Sequence, residues 1–300
     1  MNHASFLKSV GVSRIPALSY IICTNQRTGS SVLCEALRNS SVLGAPREHF
    51  LFWYWQTHNL ERLQEAYMQP WLLPNDAYLQ RVFEKGTTAN GVFGVKLMWE
   101  QFEAVTDNLR SFPQFRNAPA PMILSALFPN LHYIFLTRAD KVRQAVSFAK
   151  ALQTGKFHIQ HSLLPDQPKS IGKGNTRKKL CYNFYQVFHI YQSLIKKEAA
   201  WERYFAKAGI KPYRIVYEQF EDALDKAVQD IANYLNSPLP PNKPVQKLTL
   251  KKQSDATSEE WVQRFKKELA ERTRTPLRKL WFRGAQACIF GYHQYFKSNR

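Results

Sequence analysis

The sequence predicts an α/β fold with a mostly parallel central sheet flanked by helices. Four short apolar runs rich in Val, Ile, Tyr and Phe read as strands, at residues 19–24, 92–97, 133–137 and 213–217. Segments with helical spacing follow them, and repeated strand–helix units favour parallel strands covered on both faces. The first run ends in a turn of small polar residues that leads directly into a helix, which is how such a unit begins.

The first strand, 19–24, is followed by the turn Asn25-Gln26-Arg27-Thr28-Gly29-Ser30-Ser31 and a helix at 31–39. Gly29 permits a tight bend, and Ser30 and Ser31 leave room for an anion beside the free N–H groups of the helix. Those donors and the positive end of the helix dipole suit phosphate or sulfate. Arg27 adds a planar, permanent cation. A plain serine-capped strand–turn–helix has the same pattern. The turn is not a Walker A loop, because no Lys follows Gly29 and the earlier glycine is missing. A magnesium-dependent ATPase also needs an acid near a strand end. Asp140, behind Arg138, is the acid close after the third strand. A nucleotide donor handled without a metal fits better.

Next comes Pro46-Arg47-Glu48-His49-Phe50. A carboxylate among apolar aromatic neighbours is made more basic, which suits Glu48 to proton abstraction, with His49 a rival base. A surface glutamate on an irregular connection is the plainer alternative. A helix at 75–85 precedes the second strand, 92–97, which ends near Lys96, Met98 and Trp99 and passes into a helix at 99–109. After a helix at 121–127, the third strand, 133–137, delivers Arg138, and Ser147 lies within the helix 141–154. Arg138 and Ser147 can hold a phosphate from two sides. Spacing alone also allows Arg138 to pair with Asp140 while Ser147 packs in its helix. Open parallel sheets bind ligands at the carboxyl ends of their strands. That rule places Arg27–Ser31, Lys96 with Trp99, and Arg138 with Ser147 around one crevice.

Residues 155–175, with Gly155, Pro165, Pro168, Gly172 and Gly174, read as a long loop that covers a site or moves. Helices at 178–208, 222–235 and 258–272, the fourth strand at 213–217 and a proline-rich stretch at 237–244 complete the chain. One domain over residues 1–300 is expected, with a core at about 19–272 and a basic, aromatic extension at 273–300. That extension packs on the core or rests on an anionic membrane surface.

Forty-two Lys and Arg against 23 Asp and Glu give a net charge of +19, so an anionic partner is expected. No apolar run approaches the roughly 18 residues of a membrane span. The N-terminus lacks a signal-peptide pattern, and Cys23, Cys34, Cys181 and Cys288 form no C-x-x-C pair. A cytoplasmic protein with reduced thiols is expected. No metal site is expected, since His158 and His161 lack nearby carboxylates.

Taken together, the motifs resemble the bacterial sulfotransferases typified by trehalose 2-sulfotransferase. Six blocks in order carry the resemblance. They are Gln26–Ser31, Pro46–Phe50, Asn90–Trp99, Arg138–Asp140 with Gln144–Phe148 and Ala151–Thr154, Lys252–Asp255, and Ser258–Arg264. The resemblance implies a fold related to P-loop nucleotide kinases and the donor 3′-phosphoadenosine 5′-phosphosulfate (PAPS), without a metal. It implies that Arg27, Thr28, Gly29, Ser30 and Ser31 hold the 5′-phosphosulfate, and Arg138, Ser147 and Lys252 the 3′-phosphate side. It makes Glu48 the general base and Arg27 its catalytic partner at the transferring group. Glu48, His49, Phe50, Lys96 and Trp99 line the acceptor side in this reading. Lys252 stands where the type member has an arginine, and His49 replaces an aromatic. A carbohydrate or glycolipid acceptor and a homodimer follow from the resemblance. The alternatives are a small-molecule kinase on a related fold and a basic nucleic-acid-binding protein. No helix-turn-helix, RNA-recognition or zinc-finger signature supports the second.

Overall fold

The computed structural model describes residues 3–51, 53–54, 75–155, 180–241 and 255–274. Four strands form one parallel sheet in the order β2-β1-β3-β4: β1 (Leu18–Thr24), β2 (Val92–Met98), β3 (Leu131–Thr137) and β4 (Tyr213–Val216). All four runs expected from the sequence are strands, with ends moved by one or two residues. β4 stops at Val216 because Tyr217 opens a one-turn helix. The helices are α1 (His3–Ser9), α2 (Ser30–Asn39), α3 (Asn75–Gly86), α4 (Trp99–Leu109), α5 (Ala120–Leu127), α6 (Lys141–Thr154), α7 (Phe184–Ala208), α8 (Tyr217–Phe220), α9 (Leu224–Tyr234) and α10 (Ala256–Thr273).

The sheet is buried on both faces, and side-chain alternation shows how. Tyr20, Ile22, Ile134, Leu136 and Ile215 point one way, onto Leu33 and Leu37 of α2 and Val228 and Ile231 of α9. Ile21, Cys23, Val95, Leu97, Tyr133 and Phe135 point the other way, onto Phe6 of α1, Phe102 of α4, Leu124 of α5 and Trp201 of α7. Double burial explains why these strands read as continuous apolar runs.

Two differences from the sequence reading have local causes. The helix expected from 178 begins at Phe184, where the Asn183 side chain accepts the Gln186 N–H as an N-cap. The short helix α1 was not expected, because seven residues carry little periodic signal. Its Phe6 and Leu7 are nonetheless buried in the core.

α7 is 25 residues long and joins two cores. Its second half supplies Trp201, Tyr204 and Phe205 to the sheet. Its first half, with Phe184, Val187 and Phe188, packs with Ala145 and Ala149 of α6 and Trp261 and Phe265 of α10. The ion pairs Arg143–Glu259 and Lys150–Asp255 fasten α10 to α6, the helix that carries Ser147.

No helix among the described residues is long and apolar enough to cross a membrane. Lys252, most of the loop 155–175 with His158 and His161, Cys288 and the segment 275–300 lie outside the described residues.

Candidate functional site

The loop after β1 is tied at both ends. Thr24 Oγ1 donates to the Leu136 carbonyl of β3 at 2.9 Å and lies 2.7 Å from Thr28 Oγ1. Thr28 Oγ1 reaches the Asn25 carbonyl at 3.1 Å, and Trp201 Nε1 donates to the Thr24 carbonyl at 3.2 Å. Between these anchors the chain reverses through two left-handed residues, Arg27 at φ 65° and Gly29 at φ 77°. Gly29 is required for a second reason. A Cβ there would stand 2.6 Å from the Tyr217 ring. Gly29 is the N-cap of α2 and brings no side-chain cap to the first turn, so the amino end of α2 meets the sheet's carboxyl edge with no capping side chain of its own. Thr28 and Ser30 are buried beside it, and Ser31 is exposed.

Two arginines converge on this loop. Arg27 Nε donates to Ser147 Oγ of α6 at 3.0 Å, and Arg138 Nη1 donates to the Arg27 carbonyl at 3.2 Å. Burial, and next the neighbouring Arg138 charge, pull the Arg27 pKa below the usual arginine range, with Tyr217 opposing. Arg138 lies over the Tyr217 ring at 4.5 Å, and its Nε is buried without a hydrogen-bond partner among the described residues, 3.8 Å from Glu218. Glu218 is already engaged, since it accepts the backbone N–H groups of Ala139 and Asp140 at 2.9 and 3.1 Å. Gln144 clamps the loop from α6 by donating to the Gln26 carbonyl at 2.6 Å.

Glu48 lies on the other side of β1, next to β2. Lys96 Nζ stands 2.8 Å from Glu48 Oε1, and Gln101 Nε2 donates to Oε2 at 2.7 Å. Gln101 is itself fixed, because its Oε1 accepts the Met98 N–H at the start of α4 at 3.0 Å. The expected apolar setting of Glu48 is therefore corrected: a cation and an amide hold its carboxylate. Burial is the largest single influence and works to lower the Lys96 pKa, but the Glu48 charge, the Cys34 thiol and the hydrogen bond to Glu48 together outweigh it and hold Lys96 above the ordinary lysine value.

His49 turns inward. Its Nε2 lies 3.0 Å from the Ala45 carbonyl, its ring is near Phe93, and burial lowers its pKa to about 4. The imidazole is neutral at pH 7, with Nε2–H donating to Ala45.

The structure thus brings Arg27, Thr28, Gly29, Ser30, Arg138 and Ser147 together, and groups Glu48 with Lys96. It connects Arg27 rather than Arg138 to Ser147. Asp140, the alternative partner of Arg138, instead caps α6 and pairs with Arg143. Phe50 is fully buried against Trp53 and Phe128, so any role at the acceptor side is through packing. Trp99 is partly buried and packs on Phe102 and Trp201. Sequence reading missed Gln101, Gln144, Tyr217 and Glu218. Applying the strand-end rule to the fourth strand, as to the other three, points at Tyr217 and Glu218.

A family described as Stf0 sulphotransferase matches residues 19–268. Trehalose 2-sulfotransferase of Mycolicibacterium smegmatis is 27% identical over 280 residues, covering 86% of this chain and 98% of that protein. The trehalose 2-sulfotransferase of Mycobacterium tuberculosis is 26% identical over 271 residues, covering 83% and 94%. Among solved structures, a sulfotransferase domain from the curacin biosynthetic pathway aligns with a TM-score of 0.41 at 17% identity, over 82% of this chain and 83% of that one.

Proposed function

The chain belongs to the Stf0 sulfotransferase family, and we propose that it transfers a sulfuryl group from PAPS to a hydroxyl of a carbohydrate or glycolipid, in the cytoplasm. The observation that supports the donor is the meeting of two guanidinium groups at an uncapped helix N-terminus. Arg27 feels the Arg138 charge, and Arg138 keeps a buried donor, Nε, without a hydrogen-bond partner among the described residues. Such a site gains most from a ligand with several anionic groups.

In this reading Arg27, Thr28, Gly29, Ser30 and Ser31 hold the phosphosulfate, and Arg138 and Ser147 the 3′-phosphate, with Lys252 assigned beside them. PAPS supplies the sulfuryl group and leaves as 3′-phosphoadenosine 5′-phosphate (PAP). Arg27 and the first N–H groups of α2 stabilise the charge that builds on the departing phosphate, and losing one such donor commonly costs about 10²–10³ in rate.

Glu48 serves as the base. A carboxylate offers about four lone-pair sites. Lys96 and Gln101 each supply a donor, one to each oxygen of Glu48. Lys96 sets a cation against the carboxylate, while Gln101 fixes its angle to α4. His49 is less suited, with its ring enclosed and its Nε2 proton committed to Ala45. The two relatives' names, trehalose 2-sulfotransferase, favour a sugar acceptor. Among the described residues no group of His, Cys, Asp and Glu could hold a metal ion.

The test is incubation with radiolabelled PAPS, EDTA and a panel of sugars and lipid extracts. Label should enter a sugar or glycolipid without added metal. Phosphate transfer that requires magnesium and ATP would establish the kinase instead. Steeply salt-dependent binding to DNA or RNA, with no thermal shift on adding PAP, would establish the nucleic-acid binder.

A further inference from the structure

Glu100 is the second residue of α4, the helix that leaves the carboxyl end of β2. Its neighbour Gln101 donates to Glu48, so one helical turn carries Glu100 and orients the base. Glu100 Oε1 pairs with Lys197 Nζ of α7. Its other oxygen, Oε2, is buried with no hydrogen-bond partner among the described residues. The Tyr54 phenol, six residues after Glu48, lies in the field of this carboxylate. Burial first, and then the Glu100 charge, raise the Tyr54 pKa. Trp99 precedes Glu100 and packs edge-on against Trp201, at 5.1 Å between centroids.

A charged oxygen removed from water without a donor is unfavourable, and each such atom in a folded protein calls for an explanation. The next residue of α7 offers an internal comparison. Glu198 pairs with Lys141 at 2.7 Å, and neither of its oxygens is both buried and unmatched. Glu100 alone of the two holds an acceptor in reserve, on the same edge as Glu48. Its needs match a polyhydroxyl ring, which brings O–H donors to a carboxylate.

We propose that Glu100 is a further acceptor-binding residue that selects for sugars. Oε2 accepts a hydrogen bond from a hydroxyl of the acceptor other than the one Glu48 deprotonates. Lys197 holds the carboxylate in place and leaves Oε2 available. This assignment rests on the sulfotransferase reading above, and it distinguishes a sugar from an acceptor with a single hydroxyl.

The test uses full-length wild type, Glu100→Gln and Lys197→Met, with PAPS and a mixture of trehalose, sucrose, lactose and maltose as acceptor. Glutamine keeps the shape and still accepts from Lys197. Glu100→Gln should raise the apparent KM for the disaccharides by about tenfold or more, the usual effect of losing a hydrogen bond to a charged group. Its melting temperature should not fall, and its affinity for PAP, measured by calorimetry, should equal wild type. Lys197→Met should raise the KM by a smaller factor. A lower melting temperature with an unchanged KM would make the pair purely structural and overturn the proposal. So would a wild type that binds PAP yet labels no disaccharide. A wild type that binds no PAP overturns the parent reading, and this one with it.

Discussion

Around Arg27 two guanidinium groups meet, and the nearby acid, Glu218, is occupied by backbone N–H groups. Around Glu48 the opposite holds: Lys96 answers the carboxylate at 2.8 Å and Gln101 takes its second oxygen at 2.7 Å. Both clusters sit at the carboxyl edge of one sheet, on either side of β1. One carries surplus positive charge that a ligand must neutralise, and the other is balanced before any ligand arrives. The contrast fits a bisubstrate site whose donor is highly anionic and whose acceptor is a neutral hydroxyl, with catalysis resting on positioning and electrostatics.

The largest effect is expected at the balanced cluster. Glu48→Gln should lower kcat by about 10²–10⁴, the range for general base catalysis, while PAP affinity stays near wild type. It also strands Lys96. Burial, the largest influence, then outweighs the remaining contribution of Cys34, and the Lys96 pKa moves below the ordinary lysine value. Between that value and the unfolded pKa the unfolded chain binds more protons, so the stability of the variant rises as pH climbs toward about 10. Thermal melts across that window check the sign. Adding Lys96→Met to Glu48→Gln should recover stability without recovering activity.

Arg27→Gln comes next, with kcat lower by about 10²–10³ in a steady-state assay. Its free-state melting temperature should change little, since burial and then the Arg138 charge already disfavour the Arg27 cation.

His49 gives a third test, on stability alone. Its pKa is lowered to about 4, chiefly by burial. The unfolded chain therefore binds more protons between about pH 4 and 6.5, and stability falls as pH drops through that window. The loss amounts to about 3 kcal/mol at the acid end, from about 1.4 kcal/mol per pKa unit. His49→Gln, which can still donate to Ala45, should flatten this limb in melts from pH 4 to 7. An unchanged limb would show that His49 is not enclosed in this way.

Much of the fold is legible in the sequence because both faces of the sheet are buried. Continuous apolar runs such as Tyr20–Cys23 then mark each strand without ambiguity from alternation. Gly29 is legible too, as a residue type that few turns require without cause. Contacts between distant segments are not. That Arg27 reaches Ser147, 120 positions away, and that Gln101 holds Glu48, 53 positions away, depends on how α6 and α4 dock on the sheet. Local composition misjudged the surroundings of Glu48: Phe50 and Trp53 turn into the core and leave the carboxylate facing a lysine from β2. Tyr217 was read as the end of a strand, yet it starts α8 and closes on Gly29 and Arg138.

The most direct test of surplus charge awaiting a bisphosphorylated nucleotide is calorimetric titration of PAP, in EDTA, into wild type and Arg138→Gln, with melts of both free proteins. Arg138→Gln should weaken PAP by about 10–100-fold, as expected for losing charge-assisted hydrogen bonds. The same variant should keep, or slightly raise, the melting temperature of the free protein, and should bind adenosine 5′-phosphate as wild type does. Equal PAP affinity in the two proteins, or a free variant that melts well below wild type, would contradict the account.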